Sequence, residues 1–507
     1  MIAAGALAAP AGASDARDTP LPPAIAEIMA KPQYANASWG LLELDPAGAV
    51  LRSQRADEMF IPGSNAKLFS VSAAWKLLGA EHRFTTPVHA LGQRARGTLR
   101  GNLVLVGVGD LSLGGRTPRS GGIAWTNLDH SDAAAFPGAT LTPQDPLAGI
   151  EDLARQVRRA GITRVRGDVV IDNRLFTAAF DPRPTPVMIN DNLIDLVVAP
   201  SSAGRGARVS YRPRAATLEV DADVRTVGAG KPSQLSVSGQ APGRVSITGT
   251  VAAGSRRLVQ IAPIAGPGAF ARTVFIEALR RAGVRVDAAA GGRNPVAELP
   301  PRKSYRRATR VAAYVSPPYA DYAKLILKVS HNLGANLGVC LLAVKAGQRD
   351  CEAGFAPMRS FFKRAGVDVT QVVLADGRGG DQVDRATPVA VTQMLRYWLG
   401  QPGFEAFRES LPILGVDGSL AEVSVTGPAR GKVFAKTGTA VGGDPLNNLL
   451  AVQAKALAGY FQQADGGWHV FSVVVNDGGG SSGLEATLDA SEDLGDIATA
   501  LWQQANP

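Results

Sequence analysis

The sequence predicts a multi-domain α/β protein in which a mixed domain is assembled from both ends of the chain around a large β-rich insertion. Three observations carry this. The 507 residues exceed what one hydrophobic core ordinarily organises. A strand–turn–strand and a helix occupy the N-terminal part, and helices followed by strands fill the last third. Between them, over about residues 84–286, short β-rich runs dominate. The expected division is a lead-in at 1–23, the first part of the split domain at 24–90, inserted β-rich module or modules at 91–300, and the second part at 301–507.

In chain order, residues 39–51 read as a hairpin, with Asp45-Pro46-Ala47-Gly48 between two apolar runs. Met59-Phe60-Ile61-Pro62-Gly63 is a breaker that ends extended chain. From Ser64 the spacing turns helical, with Leu68, Val71, Ala74, Trp75 and Leu78 on one face, and Gly79 closes the helix. In the insertion, runs at 103–106, 168–171 and 245–248 alternate with glycine and proline turns. An amphipathic helix at 150–160 interrupts them, 114–146 reads as polar loop, and 271–282 is helical. Residues 320–346 form one long helical pattern. Helices follow at 356–365 and 387–399, then strand-like runs at 432–435, 457–461 and 470–475, and a terminal helix at 490–504.

Hydrophobic residues at 45% and charged residues at 19% describe a globular chain. No run approaches the ~18 uncharged apolar residues of a membrane-spanning helix. Residues 1–13 are small and apolar and end in Ala11-Gly12-Ala13. They resemble a secretory signal without its basic start, the alternative being an alanine-rich tail. The net charge of +9 suits a polyanionic partner, but the arginines are mixed with acidic residues. The dense cluster Arg302-Lys303-Ser304-Tyr305-Arg306-Arg307 has no nucleic-acid module around it. It reads as a solvated face turned toward anionic wall or membrane, with no nucleic-acid partner. Cys340 and Cys351 match neither a redox nor a zinc pattern. In an exported chain they can close a small loop between consecutive helices; otherwise they are two buried thiols.

Three short motifs carry chemistry. Ser64-Asn65-Ala66-Lys67 stands at a helix start, where a spacing of three brings amine and hydroxyl together. The unsatisfied N–H groups of a first turn also favour a developing alkoxide. Ser330-His331-Asn332 offers a hydroxyl for proton relay and an amide for a substrate backbone. The bland reading is a polar helix stretch with an exposed histidine. Lys436-Thr437-Gly438-Thr439 follows a strand-like run, and alternation puts Lys436 and Gly438 on one face and Thr437 and Thr439 on the other. The glycine admits close backbone approach, and the cation can hold a carboxylate. A decoy, Ser360-Phe361-Phe362-Lys363, lies mid-helix with aromatics that serve a core. The Gly-x-Ser-x-Gly match at 479–483 sits in a glycine run, the Gly-Lys at 230–231 lacks phosphate-loop spacing, and no His-Glu-x-x-His exists. Neither a metal nor another cofactor is expected.

The order Ser-x-x-Lys, Ser-x-Asn, Lys-Thr-Gly is the signature set of β-lactamases and penicillin-binding proteins. The chain resembles the class C low-molecular-mass penicillin-binding proteins, D-Ala-D-Ala carboxypeptidase/endopeptidases. The likeness extends to Pro62–Leu68, Gly107-Val108-Gly109-Asp110-Leu111, Asn190-Asp191-Asn192-Leu193, Ser316-Pro317-Pro318 and the segment 411–420. The stretch between Lys67 and Ser330 is too long for a compact β-lactamase. The resemblance implies a transpeptidase-like domain, an antiparallel sheet between helical layers, split by the insertion and exported to the periplasm. It implies Ser64 as nucleophile, Lys67 as general base and Ser330 as proton relay. Asn332, Lys436, Thr437, Gly438 and Thr439 would bind substrate, with the Ser64 and Thr439 N–H groups as oxyanion donors. Peptidoglycan stem peptides are the implied substrates and β-lactams the covalent inhibitors. A departure stands at Asp376-Gly377-Arg378-Gly379-Gly380-Asp381, where the family usually reads Asp-Gly-Ser-Gly-Leu-Ser. Two other readings stay open: a penicillin-binding wall protein with little turnover, and a related D-amino-acid amidase or esterase.

Overall fold

A computed structural model describes residues 17–507; the signal-like segment 1–13 lies outside them. The chain divides into two compact units. One takes the described residues up to Leu77 with Ile326–Ala335 and Phe355–Pro507, the other Leu78–Leu325 with Asn336–Gly354.

The first unit is built on a six-stranded sheet. Its order is Val433–Asp444, Leu449–Gln462, Trp468–Asn476, Ser38–Leu44 and Val50–Gln54, with the short Gly480–Ser481 paired to the second strand. All pairings are antiparallel. Ser38–Leu44 takes an inner position because every residue from Trp39 to Leu44 is buried, as a strand covered on both faces requires. Its one acidic residue, Glu43, is satisfied by His469 at 3.0 Å and by Arg52.

The helix Glu485–Ala505 lays Leu494, Ile497 and Leu501 against Leu41, Leu457, Phe471 and Val473 on one sheet face. The helices Lys67–Leu78 and Pro388–Leu399 lie at the other. There Trp398 stacks on Phe407 at 4.1 Å, meets Trp75 edge-on, and donates its indole N–H to Ser72 Oγ at 2.8 Å. Tyr460 donates its hydroxyl to Leu395 O at 2.8 Å, tying sheet to helix. The predicted sheet between helical layers is therefore the observed one.

The helix expected over 320–346 is two helices, Tyr319–Lys328 and Asn332–Lys345. Ser330 between them has a left-handed φ of 59°. Apolar residues run on through the break because both helices are largely buried, and a serine in place of glycine conceals it. His331 is buried, contrary to the exposed helix histidine expected. Its Nδ1 accepts the Gly334 N–H at 3.1 Å, satisfying a first-turn donor of the second helix.

In the second unit a six-stranded sheet runs Arg285–Val286, Arg164–Val165, Thr98–Val106, Arg83–Ala95, Thr309–Pro318, with Val169–Asp172 paired to Thr98–Val106. Two three-stranded sheets complete the β-rich texture. The helices Ala148–Arg159 and Pro267–Arg281 share one core with these sheets, through Leu153, Val157, Phe270 and Val274. Cys340 and Cys351 are bonded to each other, which resolves the alternative left open by spacing. In the basic cluster, Lys303, Arg306 and Arg307 are exposed as expected. Tyr305 is buried instead and donates to Asp172 Oδ2 at 2.8 Å.

The loop over 114–146 is pinned by buried charge. Arg116 reaches both Asp129 oxygens at 2.8 and 2.7 Å and Asp191 at 2.6 Å. His130 donates to Asp191 at 2.8 Å and to Asp195 at 2.5 Å, and Arg212 holds Asp195 at 2.9 Å. Burial works against charge on His130, but attraction to Asp195 and hydrogen bonds to both carboxylates outweigh it and push its pKa up to about 10. A histidine raised in this way stabilises the fold fully below its unfolded value and loses that contribution as pH climbs through the folded value. His130→Asn is expected to cost ~3 kcal/mol at pH 6. In denaturant titrations the gap from the parent chain should shrink toward pH 10, and a gap that is constant with pH would count against the charged form.

Candidate active site

Pro62 and Gly63 turn the chain into a 3₁₀ segment, Gly63–Ala66, that runs directly into the helix Lys67–Leu78. In a 3₁₀ turn residues three apart eclipse, so Ser64 and Lys67 stack on one side. The fully buried Lys67 donates from Nζ to Ser64 Oγ at 2.6 Å, Asn332 Oδ1 at 2.7 Å and Arg378 O at 3.1 Å. Ser64 is half-buried.

The Lys-Thr-Gly segment lies on the edge strand Val433–Asp444. Lys436, also fully buried, donates to Ser330 Oγ at 3.0 Å and Thr437 O at 2.8 Å. A Cβ on Gly438 would stand 2.3 Å from Pro62 O, so only glycine lets the strand edge meet the turn that carries Ser64. Thr437 Oγ1 lies 2.7 Å from Ser419 Oγ. All three sequence motifs thus converge: one buried amine joins Ser64 to Asn332, another joins Ser330 to the Lys-Thr-Gly strand.

The departing loop supports the first amine through its backbone. Asp376 Oδ1 accepts the N–H groups of Arg378 at 2.9 Å and Gly379 at 2.6 Å. Asp384 is fully buried and accepts from Ala375 at 2.7 Å and Asp381 at 3.0 Å. Burial first, and then the charges of Asp376 and Asp381, push its carboxyl up to about 7. Braced in this way, the loop presents Gly377 O to Ser70 Oγ at 2.6 Å and Arg378 O to Lys67. Gly379 has φ +83°, and a Cβ there would lie 2.0 Å from Gly63 O. The Arg378 guanidinium turns back to Asp376 at 3.2 Å.

A family model described as the D-Ala-D-Ala carboxypeptidase 3 (S13) family matches residues 21–496. The chain belongs to this family. It is therefore an enzyme, a peptidase of the D-Ala-D-Ala carboxypeptidase class. A D-alanyl-D-alanine carboxypeptidase of Actinomadura sp. (strain R39) is 28% identical over 97% of this chain and 87% of its own length. D-alanyl-D-alanine carboxypeptidase DacB of Haemophilus influenzae is 21% identical over 78% of each. The crystal structure of penicillin binding protein 4 from Haemophilus influenzae matches with a TM-score of 0.68 at 18% identity, covering 94% of this chain and 99% of that one. That likeness carries the shared fold.

Around this carboxypeptidase-family site the structure adds residues that no motif marked. Lys328, buried two positions before Ser330, holds both Asp417 oxygens at 2.6 Å. Asp417 also accepts the Ile413 N–H at 2.9 Å, so the second motif is clamped to the loop that carries Ser419. Only the resemblance across 411–420 pointed to that loop. The decoy Ser360 is exposed and donates to Ala356 O at 3.0 Å, while Phe361 and Phe362 fill a core.

Lys455, on the strand next to Lys-Thr-Gly, is buried and donates to Thr439 Oγ1 at 2.9 Å. Burial pushes its pKa down to about 8. At this position the unfolded chain keeps its proton to about pH 10 and so binds more protons than the fold across that interval, which makes the contribution of Lys455 to stability rise with pH there. Lys455→Met is expected to flatten that rise and to add on the order of 3 kcal/mol at pH 7. Denaturant titrations of parent and variant at pH 7, 8, 9 and 10 measure both effects, because their difference cancels the opposite slope that His130 contributes; a stability gap between the two chains that does not narrow from pH 8 to pH 10 would contradict the assignment.

Proposed function

We propose that this chain is a periplasmic serine-type DD-peptidase that hydrolyses D-Ala-D-Ala termini of peptidoglycan stem peptides and D-Ala cross-links, through an acyl-enzyme that β-lactams also form. The observation that carries the reading is the Lys67 amine, 2.6 Å from Ser64 Oγ and anchored by Asn332 and Arg378 O. A neutral amine there takes the hydroxyl proton as Ser64 Oγ bonds to the carbonyl carbon of the penultimate D-Ala.

The negative charge that develops on the carbonyl oxygen falls to the N–H groups of Ser64 and Thr439, donors of a type often worth ~3 kcal/mol each. Ser330 Oγ already accepts from Lys436, which leaves its own hydrogen to donate to the leaving amine. The C–N bond breaks, the terminal D-Ala departs with that proton, and Ser330 is reprotonated from Lys67. Water then attacks the ester carbonyl and gives a proton to the Lys67 amine, which returns it to Ser64 Oγ as the acyl C–O bond breaks. Asn332 orients the substrate amide, and Lys436 with Thr437 receives the terminal carboxylate.

The substituted loop supports turnover, not its loss, because what it supplies to Lys67 is a backbone carbonyl that any side chain at 378 leaves in place. Export is supported by the Cys340–Cys351 bond, which persists in oxidising compartments, and by a substrate that lies outside the cytoplasm. No described helix is long and apolar enough to cross a membrane. The exposed Lys303, Arg306 and Arg307 fit peripheral contact with an anionic surface.

Ser64→Ala is expected to abolish covalent labelling by a fluorescent penicillin while leaving the melting temperature in place; retained labelling would sink the nucleophile assignment. Incubation with purified muropeptides should release one D-Ala per pentapeptide stem and convert cross-linked dimers to monomers by mass spectrometry. Penicillin acylation without D-Ala release would instead identify a binding protein with little turnover.

A further inference from the structure

The mechanism leaves Lys455 without a task. It stands on the strand Leu449–Gln462, opposite Thr439 on one side and Val475 on the other. Its residue is 7% exposed, and no carboxylate among the described residues pairs with it. On the same sheet face Leu457, Val473 and Val475 are buried and apolar. An ammonium taken out of water costs several kcal/mol unless it is paired and fully hydrogen-bonded, and a single hydroxyl at 2.9 Å does not return that. Stability does not account for the residue.

Its place does. The backbone nitrogen of Thr439 lies 2.6 Å from where a Cβ on Gly63 would stand, at the seam between the Lys-Thr-Gly strand and the nucleophile turn. Thr439 Oγ1 accepts from Lys455, so the rotamer of Thr439 is fixed from behind while its N–H serves the site. We propose that Lys455 is a positioning residue of the oxyanion hole, holding Thr439 through its hydroxyl and setting an unneutralised positive charge behind the N–H donor. A charge in a dry interior acts over a longer reach than one in water, and donors fixed in advance are what stabilise a developing oxyanion. The inference rests on the reading of Ser64 as nucleophile and of the Thr439 N–H as oxyanion donor.

The test is stopped-flow acylation by a chromogenic β-lactam, resolved into the pre-covalent dissociation constant and the acylation rate constant, alongside thermal melts. For Lys455→Met the rate constant should fall at least about tenfold, with the dissociation constant unchanged and the melting temperature equal or higher. A merely structural lysine would move the melting temperature downward instead. Thr439→Val, which keeps the N–H and removes the hydroxyl, should reproduce the loss, and the double variant should be no worse than either single one. This second variant decides the matter even where Lys455→Met does not fold. Parent-like acylation in folded Lys455→Met, a parent-like Thr439→Val, or additive losses would each overturn the proposal. A parent chain that no β-lactam acylates would instead overturn the serine-peptidase reading, and the proposal with it.

Discussion

The first unit is organised around one buried amine. Lys67 Nζ donates to oxygens from three stretches of sequence: Ser64 beside it, and the distant Asn332 at the start of a helix and Arg378 in a loop. Each has to arrive within hydrogen-bond distance of one nitrogen, so the backbone around each is constrained. The 3₁₀ entry at Gly63–Ala66 eclipses Ser64 with Lys67. The left-handed Ser330 turns the chain so that Asn332 opens a new helix. Glycine at 379 lets the loop carrying Arg378 O lie against Gly63 O. Moving any of these leaves a buried polar group unsatisfied, which costs ~1–3 kcal/mol.

Four lysines of this unit, 67, 328, 436 and 455, are buried, and they are held in different ways. Lys328 is paired to a carboxylate, Asp417, and its job is to fix a loop. Lys436 donates to a hydroxyl and a carbonyl, and Lys67 donates to a hydroxyl, an amide oxygen and a carbonyl. These bonds fix the position of each amine within the motifs that meet there. The second unit follows the opposite logic. There His130, Arg116 and Arg212 meet Asp129, Asp191 and Asp195 in a closed set of opposite charges, which pins a long loop and holds the histidine protonated.

Local pattern carried much of the architecture. The 3.6-residue spacing from Leu68 to Leu78 marked the helix that follows Ser64, the apolar runs at 39–44 and 470–475 marked strands, and the turn residues of the insertion marked its β-rich texture. The three motifs were legible because each is a short run of side chains. What stayed hidden is non-local or belongs to the backbone. Lys328 and Asp417 are 89 residues apart, and nothing in either segment names the other. The carbonyls of Gly377 and Arg378 have no signature in residue identity. The break at Ser330 is invisible to hydrophobic periodicity, since buried apolar residues continue on both sides of it.

The loop 375–384 shows why a departure from a family's usual letters need not be a departure in chemistry. Where serines are usual, this chain has Arg378 and Asp381, a change in charge and size. Yet what the loop delivers to the helix Lys67–Leu78 is two carbonyl oxygens, fixed by the Asp376 and Asp384 side chains, which accept backbone N–H groups. The guanidinium of Arg378 turns back on Asp376, and so adds a charge pair to a brace that backbone bonds already form. The geometry of the loop is set by the positions that bend or brace it, Gly379, Asp376 and Asp384, and not by the side chain whose carbonyl it presents. A substitution at 378 can therefore change that charge pair while the amine of Lys67 keeps the Arg378 carbonyl as a partner.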